Sequence, residues 1–143
     1  MKLILDNDAI ADDFFSDTRL IGIMAPVKNY QFCWQLNHLL GYNFRLNTEI
    51  DKQLRKKNRQ YFFSVYQHEE NSFLKYYLFH NHCDGEYLLP EFRHMDFLLL
   101  MKGDYVDDNK CSSIITVIKS IGCVQMVAEL TNEKIKNKEH LVF

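Results

Sequence analysis

The run Thr18-Arg19-Leu20-Ile21-Gly22-Ile23-Met24-Ala25 is apolar and β-branched enough for a strand. Pro26 follows directly and suits the first position of a helix, where its missing N–H would be unpaired anyway. The spacing predicts a helix from Pro26 to Leu40, closed by Gly41 in the left-handed conformation. At 100° per residue Phe32, Cys33, Leu36, Leu39 and Leu40 share one stripe, the expected core face, with Gln31, Gln35 and His38 turned to solvent. A strand therefore feeds a helix near the start of the chain.

The same order returns at the other end, reversed. Cys111, Ile114, Ile115, Ile118 and Ile121 keep helical spacing, with Asp107 and Asp108 at the start, Lys119 near the end and Gly122 as terminator. Cys123 to Leu130 then alternates as a half-buried strand does. Between the helices, Tyr61 to Tyr66 and Phe73 to Phe79 are aromatic-rich runs, and the polar Gln67-His68-Glu69-Glu70-Asn71-Ser72 between them suits a hairpin loop. Asn81 to Gly85 reads as a loop, and a further strand is expected from Met95 to Lys102. The order is strand, helix, strand, strand, strand, helix, strand. It predicts an α+β fold, an antiparallel sheet with two helices on one face in a ferredoxin-like variant. The end segments Lys2 to Leu5 and His140 to Phe143 are candidates for pairing at the sheet edges.

At 143 residues a single domain spanning 1–143 is expected. Charged residues make up 25% and hydrophobic ones 47%, so neither a disordered tail nor a membrane protein fits. The longest apolar run, Phe97 to Met101, falls far short of the roughly 20 residues that a bilayer demands. Three apolar residues after Lys2, followed by five aspartates up to Asp17, do not have the shape of a signal peptide. Cys33, Cys83, Cys111 and Cys123 form no CxxC pair, so free thiols in a reducing cytoplasm are the expectation. A net charge of -2 provides no global field to recruit nucleic acid.

Leu89-Pro90-Glu91-Phe92-Arg93-His94-Met95-Asp96-Phe97 resembles the signature of the small bacterial proteins named after their IPExxxVDY motif. Pro90, Glu91 and Asp96 stand where that family has Pro, Glu and Asp, while Leu89, Met95 and Phe97 replace Ile, Val and Tyr. Arg19 to Ile23, Tyr30 to Leu36, Gly122 to Gln125 and Lys136 to Phe143 are also similar to stretches of that family, so the resemblance spans nearly the whole chain. It implies a bacterial cytoplasmic setting and no assigned activity, so no catalytic residue carries over.

Four groups of residues invite function. Glu91 and Asp96 are two carboxylates able to divide acid and base roles at a pocket, as in a ligand-binding domain or minor enzyme. Their structural reading is that Glu91 caps or pairs with Arg93 or a lysine, and that Asp96 anchors the coming strand by accepting backbone N–H bonds. His80, His82 and Cys83 offer metal-ligand types, because an HxH pair on one strand face can chelate, though the segment also reads as a polar loop. Arg45, Lys52, Arg55, Lys56, Lys57 and Arg59 form a basic excess beside Tyr61, Phe62 and Phe63, read as an exposed connection with RNA or single-stranded DNA as its functional alternative.

Tyr30 and Trp34, four residues apart, lie opposite the core stripe of the first helix. Each ring buries roughly 150 to 250 Å² when covered, so either the Arg45 to Arg59 connection or a second subunit should cover them. The combined expectation is a non-enzymatic interaction or assembly domain that forms a homodimer, open to a further protein partner and needing no cofactor.

Overall fold

The computed structural model describes residues 18–48, 52–56, 58–103, 106–131, 134–136 and 138–141. The chain is α+β, with two helices and a mostly antiparallel sheet among the described residues. Strand β1 (Thr18–Met24) leads to helix α1 (Asn29–Leu40), then β2 (Arg45–Leu46), β3 (Lys52–Lys56) and β4 (Arg59–Phe63). Next come β5 (Val65–Asn71), β6 (Leu74–His80), β7 (His82–Cys83), β8 (Glu86–Tyr87) and a single 3-10 turn at Pro90–Phe92. Strand β9 (Phe97–Gly103), helix α2 (Asp108–Lys119), β10 (Met126–Leu130) and a 3-10 turn at Lys138–Leu141 complete the order. Six strands form the main sheet in the order β10-β1-β9-β6-β5-β2, and β3-β4 and β7-β8 make two small two-stranded sheets.

Strand β9 shows why the sheet has two covered faces. Every residue from Phe97 to Gly103 is buried except Lys102, the continuous apolar pattern of a strand enclosed on both sides. Phe97, Leu99 and Met101 join Ile21, Ile23, Tyr76 and Leu78 beneath the helices, which contribute Phe32, Cys33, Leu36, Cys111, Ile114 and Ile118. Leu98 and Leu100 face the other way, into a second core with Tyr61, Phe63, Leu88, Leu89, Met95, Ile135 and Leu141. The helices thus share one face of the sheet. The small hairpin β3-β4, the Leu88–Met95 segment and the C-terminal turn form a third layer on the other. Burying one large apolar side chain contributes roughly 1.5 to 3 kcal/mol, so these two cores dominate stability.

Several boundaries differ from the sequence expectation. Helix α1 starts at Asn29 with Lys28 as its cap residue, so Pro26 lies before the helix; Gly41 at φ 69° does close it in the left-handed conformation. Leu39 is exposed rather than in the core, because Asn37 is turned inward: its side chain accepts from Phe44 N–H at 2.6 Å and donates to Phe44 C=O at 3.2 Å. The Tyr61–Tyr66 run is two strands in different sheets, parted at Ser64. Gln67–Asn71 is strand rather than loop, since its pairing with β6 leaves only Ser72 and Phe73 to turn the chain. Helix α2 ends at Lys119, ahead of Gly122, and the last strand starts at Met126 instead of Cys123.

The Arg45–Arg59 stretch is more than a connection, because it supplies β2 and the first strand of the β3-β4 hairpin. His140 and Leu141 sit in a 3-10 turn instead of pairing at a sheet edge, since Leu141 is drawn into the second core. Lys2–Leu5, Lys57 and the last two residues lie outside the described residues. Among the described residues no helix is long and apolar enough to cross a membrane.

Candidate functional site

The Leu89–Phe97 stretch is organised by a residue outside it. Asn81, which follows β6, is fully buried and spends every polar group on this stretch and on Leu88 just before it. Its side-chain Nδ2 donates to Phe92 C=O at 3.1 Å and to Met95 C=O at 3.0 Å, while Oδ1 accepts from Leu89 N–H at 2.8 Å. Its backbone N–H donates to Asp96 C=O at 2.9 Å, and its C=O accepts from Leu88 N–H at 3.0 Å. A buried amide must be satisfied, and here one side chain replaces the strand ladder that an irregular segment cannot form. Sequence reasoning placed Asn81 in a loop and missed this role. Its only local signal is a polar amide wedged between an apolar strand and two later apolar runs.

Each residue of the motif then has a position. Pro90 opens the 3-10 turn, where its lack of an N–H costs nothing. The Asp96 carboxylate accepts from Ala25 N–H at 2.8 Å, and Asp96 N–H donates to Ile23 C=O at 2.8 Å, so this residue ties β9 to the end of β1. Glu91 accepts from Lys136 backbone N–H at 3.2 Å. His140 Nδ1 lies 2.6 Å from Leu88 C=O and fastens the same C-terminal segment.

Two of the surface cavities among the described residues bear on these groups. One of about 450 Å³ beside β2 is lined by Arg45, Leu46, Asn47, Thr48, Gln67 and Glu69. The other, of about 370 Å³, lies between the end of α1 and the first turns of α2. Neither is lined by Glu91 or Asp96.

The histidine pair does not share a strand. Asn81 ends β6, so His80 belongs to β6 and His82 to β7, with ring centroids 6.4 Å apart. His80 stacks on Phe97 at 5.1 Å, and burial, helped by the neighbouring His82, pushes its pKa below the ordinary value against the pull of Asp96. Exposed His82 accepts from Gly85 N–H at 3.2 Å, and Cys83 is half-buried. Among the described residues no three His, Cys, Asp or Glu side chains group as metal ligands.

The basic residues are spread over three strands. Arg45 lies on β2, Lys52, Arg55 and Lys56 on β3, and Arg59 on β4. Arg59 is committed to Asp84 at 2.8 Å and lies over the Tyr61 ring at 5.1 Å. All four cysteines are free; Cys33 and Cys111 are buried, and burial pushes the Cys33 thiol up to about 11. Scanned against protein-family models the chain matches none, and no curated protein matches it.

The Arg45–Arg59 stretch does not cover the α1 aromatics. Trp34 is 66% exposed and Tyr30 56%, among the largest exposures of any apolar side chain described. Trp34 stacks nearly parallel on His38 at 5.3 Å, with an interplanar angle of 4°, and Lys28 lies 5.9 Å from the Tyr30 ring. The reason is directional. The β3-β4 hairpin lies with the second core, while α1 belongs to the first.

A second polar cluster, invisible as a sequence motif, joins the helix layer to the sheet. His68 stacks on Tyr42 at 4.4 Å and accepts from Asn43 N–H through Nδ1 at 3.0 Å. Tyr42 O–H donates to Tyr76 at 3.3 Å, Tyr76 O–H donates to Glu70 at 3.3 Å, and Glu70 pairs with Lys110 at 2.9 Å. Burial raises the Tyr76 hydroxyl far above the ordinary tyrosine range, so it acts as a neutral donor in this chain.

Proposed function

We propose that this protein is a non-enzymatic interaction domain that associates with a second copy of itself through the outer face of α1. The single observation that carries the reading is the exposure of Trp34 and Tyr30 one helical turn apart. Two aromatic rings left in water forgo several kcal/mol, on the order of a domain's net stability, and aromatic residues are the favoured anchors of interfaces. The Glu91 and Asp96 carboxylates each accept from a backbone N–H, which supports a structural role for the motif over an acid–base one. The proposal keeps the resemblance to the IPExxxVDY proteins and the expected cytoplasmic setting. It also takes the fold as a ferredoxin-like variant, supported by helices after β1 and after β9 on one face of an antiparallel sheet.

Sedimentation velocity across a concentration series tests the reading. The wild-type chain is expected to dimerise, and Trp34→Ala to weaken the dimer at least tenfold while leaving the thermal transition of the fold in place. A chain that stays monomeric at every concentration, or a dimer that Trp34→Ala leaves unaltered, removes the proposal.

A further inference from the structure

The central turns of the two helices carry no charged side chain. No Asp, Glu, Lys or Arg occurs from Asn29 to Phe44 or from Cys111 to Ile118, although charged residues make up 25% of the sequence. Exposed positions in these stretches are Tyr30, Gln31, Trp34, His38 and Leu39 on α1 and Ser112, Ser113 and Thr116 on α2, with the charged Asp108 and Lys119 exposed at the two ends of α2. A solvated helix face ordinarily carries charge, and depletion of charge with enrichment of aromatics marks the centre of an interface. Such a face also meets its own copy without like-charge repulsion, which an isologous dimer requires.

The same layer holds a cavity and a protruding ring. The cavity of about 370 Å³ between the helices is lined by Leu40 and Tyr42 on one side and by Asn109, Ser113, Ile114 and Val117 on the other. Its one charged neighbour, Lys110, is already neutralised by Glu70 at 2.9 Å. Leu40, Tyr42, Ile114 and Val117 give it an apolar wall beside the polar Asn109, Lys110 and Ser113, and its volume, within the roughly 300 to 1,000 Å³ of sites that take organic groups, admits an indole. Trp34 projects from α1 six residues before Leu40, about 9 Å along the axis. Its stacking on His38 holds the indole in one orientation, which lowers the entropy lost on docking.

We infer that the groove between α1 and α2 is the receptor for Trp34 of a second copy, inserted reciprocally about a two-fold axis. The inference rests on the self-association proposed above and adds the receiving site. It also explains why the groove and the ring are both uncovered in one chain: each is the complement of the other.

Trp34 is the chain's one tryptophan, so its fluorescence reports on this contact alone. On raising the concentration through the dimerisation range, its emission should shift to the blue as the indole leaves water. Ser113→Arg and Ser113→Glu place opposite charges at an exposed position of the groove, away from α1. Both are expected to weaken the dimer at least tenfold and to return the emission to that of an exposed indole, with circular dichroism and thermal transition unchanged. Combined with Trp34→Ala, either should add almost nothing to the loss, as coupled sites do. A dimer whose Trp34 emission stays that of exposed indole, or one indifferent to both Ser113 variants, overturns the groove while sparing self-association. A monomer at all concentrations overturns both.

Discussion

The carboxylate of Asp96 accepts a hydrogen bond from Ala25 N–H at 2.8 Å, joining the residue before β9 to the residue after β1. The two strands are neighbours at the centre of the sheet, so the bond closes the end of the ladder they share. Removing the acceptor leaves a partly buried N–H unpaired, which costs about 1 to 3 kcal/mol. Asp96→Ala is expected to lower stability by that amount, and Asp96→Asn, which keeps one carbonyl oxygen, by less. Urea unfolding checks this: the midpoint should fall with an unchanged slope.

Asn81 should be the most sensitive polar position. Asn81→Ala deprives Leu89 N–H, Phe92 C=O and Met95 C=O of their partner at once, and at about 1 to 3 kcal/mol each the loss should be at least about 3 kcal/mol. Asn81→Asp keeps the acceptor yet loses both donors and buries a charge, so it should be no better tolerated. Protease sensitivity after Leu88 together with the unfolding free energy would measure this, and a near-neutral Asn81→Ala would refute the hub.

Acid should loosen the Tyr42–Phe44 loop. Burial lowers the His68 pKa from its ordinary 6.5, opposed by Glu70, and the Asn43 N–H donates to a ring nitrogen that protonation would cap. The folded state therefore binds the proton less readily than the unfolded one. Its contribution is complete above about pH 6.5 and is lost as pH falls below that value. His80 shifts in the same direction. Unfolding free energy should decline between about pH 7 and pH 5, and His68→Gln should make the decline shallower.

Arg19 is a test of geometry over charge. Its Nε and Nη2 meet both carboxylate oxygens of Glu129 at 2.7 and 2.9 Å, and Nη1 reaches Asp108 at 2.9 Å and Val106 C=O at 3.2 Å. One fork thus joins β1, β10 and the start of α2, and Glu129 holds the guanidinium well above its ordinary pKa. Lysine cannot reproduce a bidentate contact, so Arg19→Lys is expected to cost about 1.5 to 3 kcal/mol despite keeping the charge. Thermal unfolding of the variant beside Arg19→Ala would show whether the lysine rescues anything.

The sequence by itself determined the elements whose causes are local. Gly41 had to end α1 because a left-handed residue closes a helix cheaply, and Asp107 had to start α2 because its side chain reaches Lys110 N–H at 2.7 Å within one turn. The unbroken apolar run of β9, the alternation from Cys123 to Leu130, and the spacing of Cys111, Ile114 and Ile118 carried their own signals. Tertiary structure decided what depends on distant partners. Gln67–Asn71 is polar in sequence and became strand because β6 offered it a ladder. Leu39 faces water because Asn37 turns in to meet Phe44, and Asn81 holds its place through groups seven to fifteen residues away in sequence. Trp34 is exposed, and the β3-β4 hairpin of the stretch expected to cover it packs instead on the second core. Periodicity encodes which way a side chain points, and only the folded chain supplies what it points at.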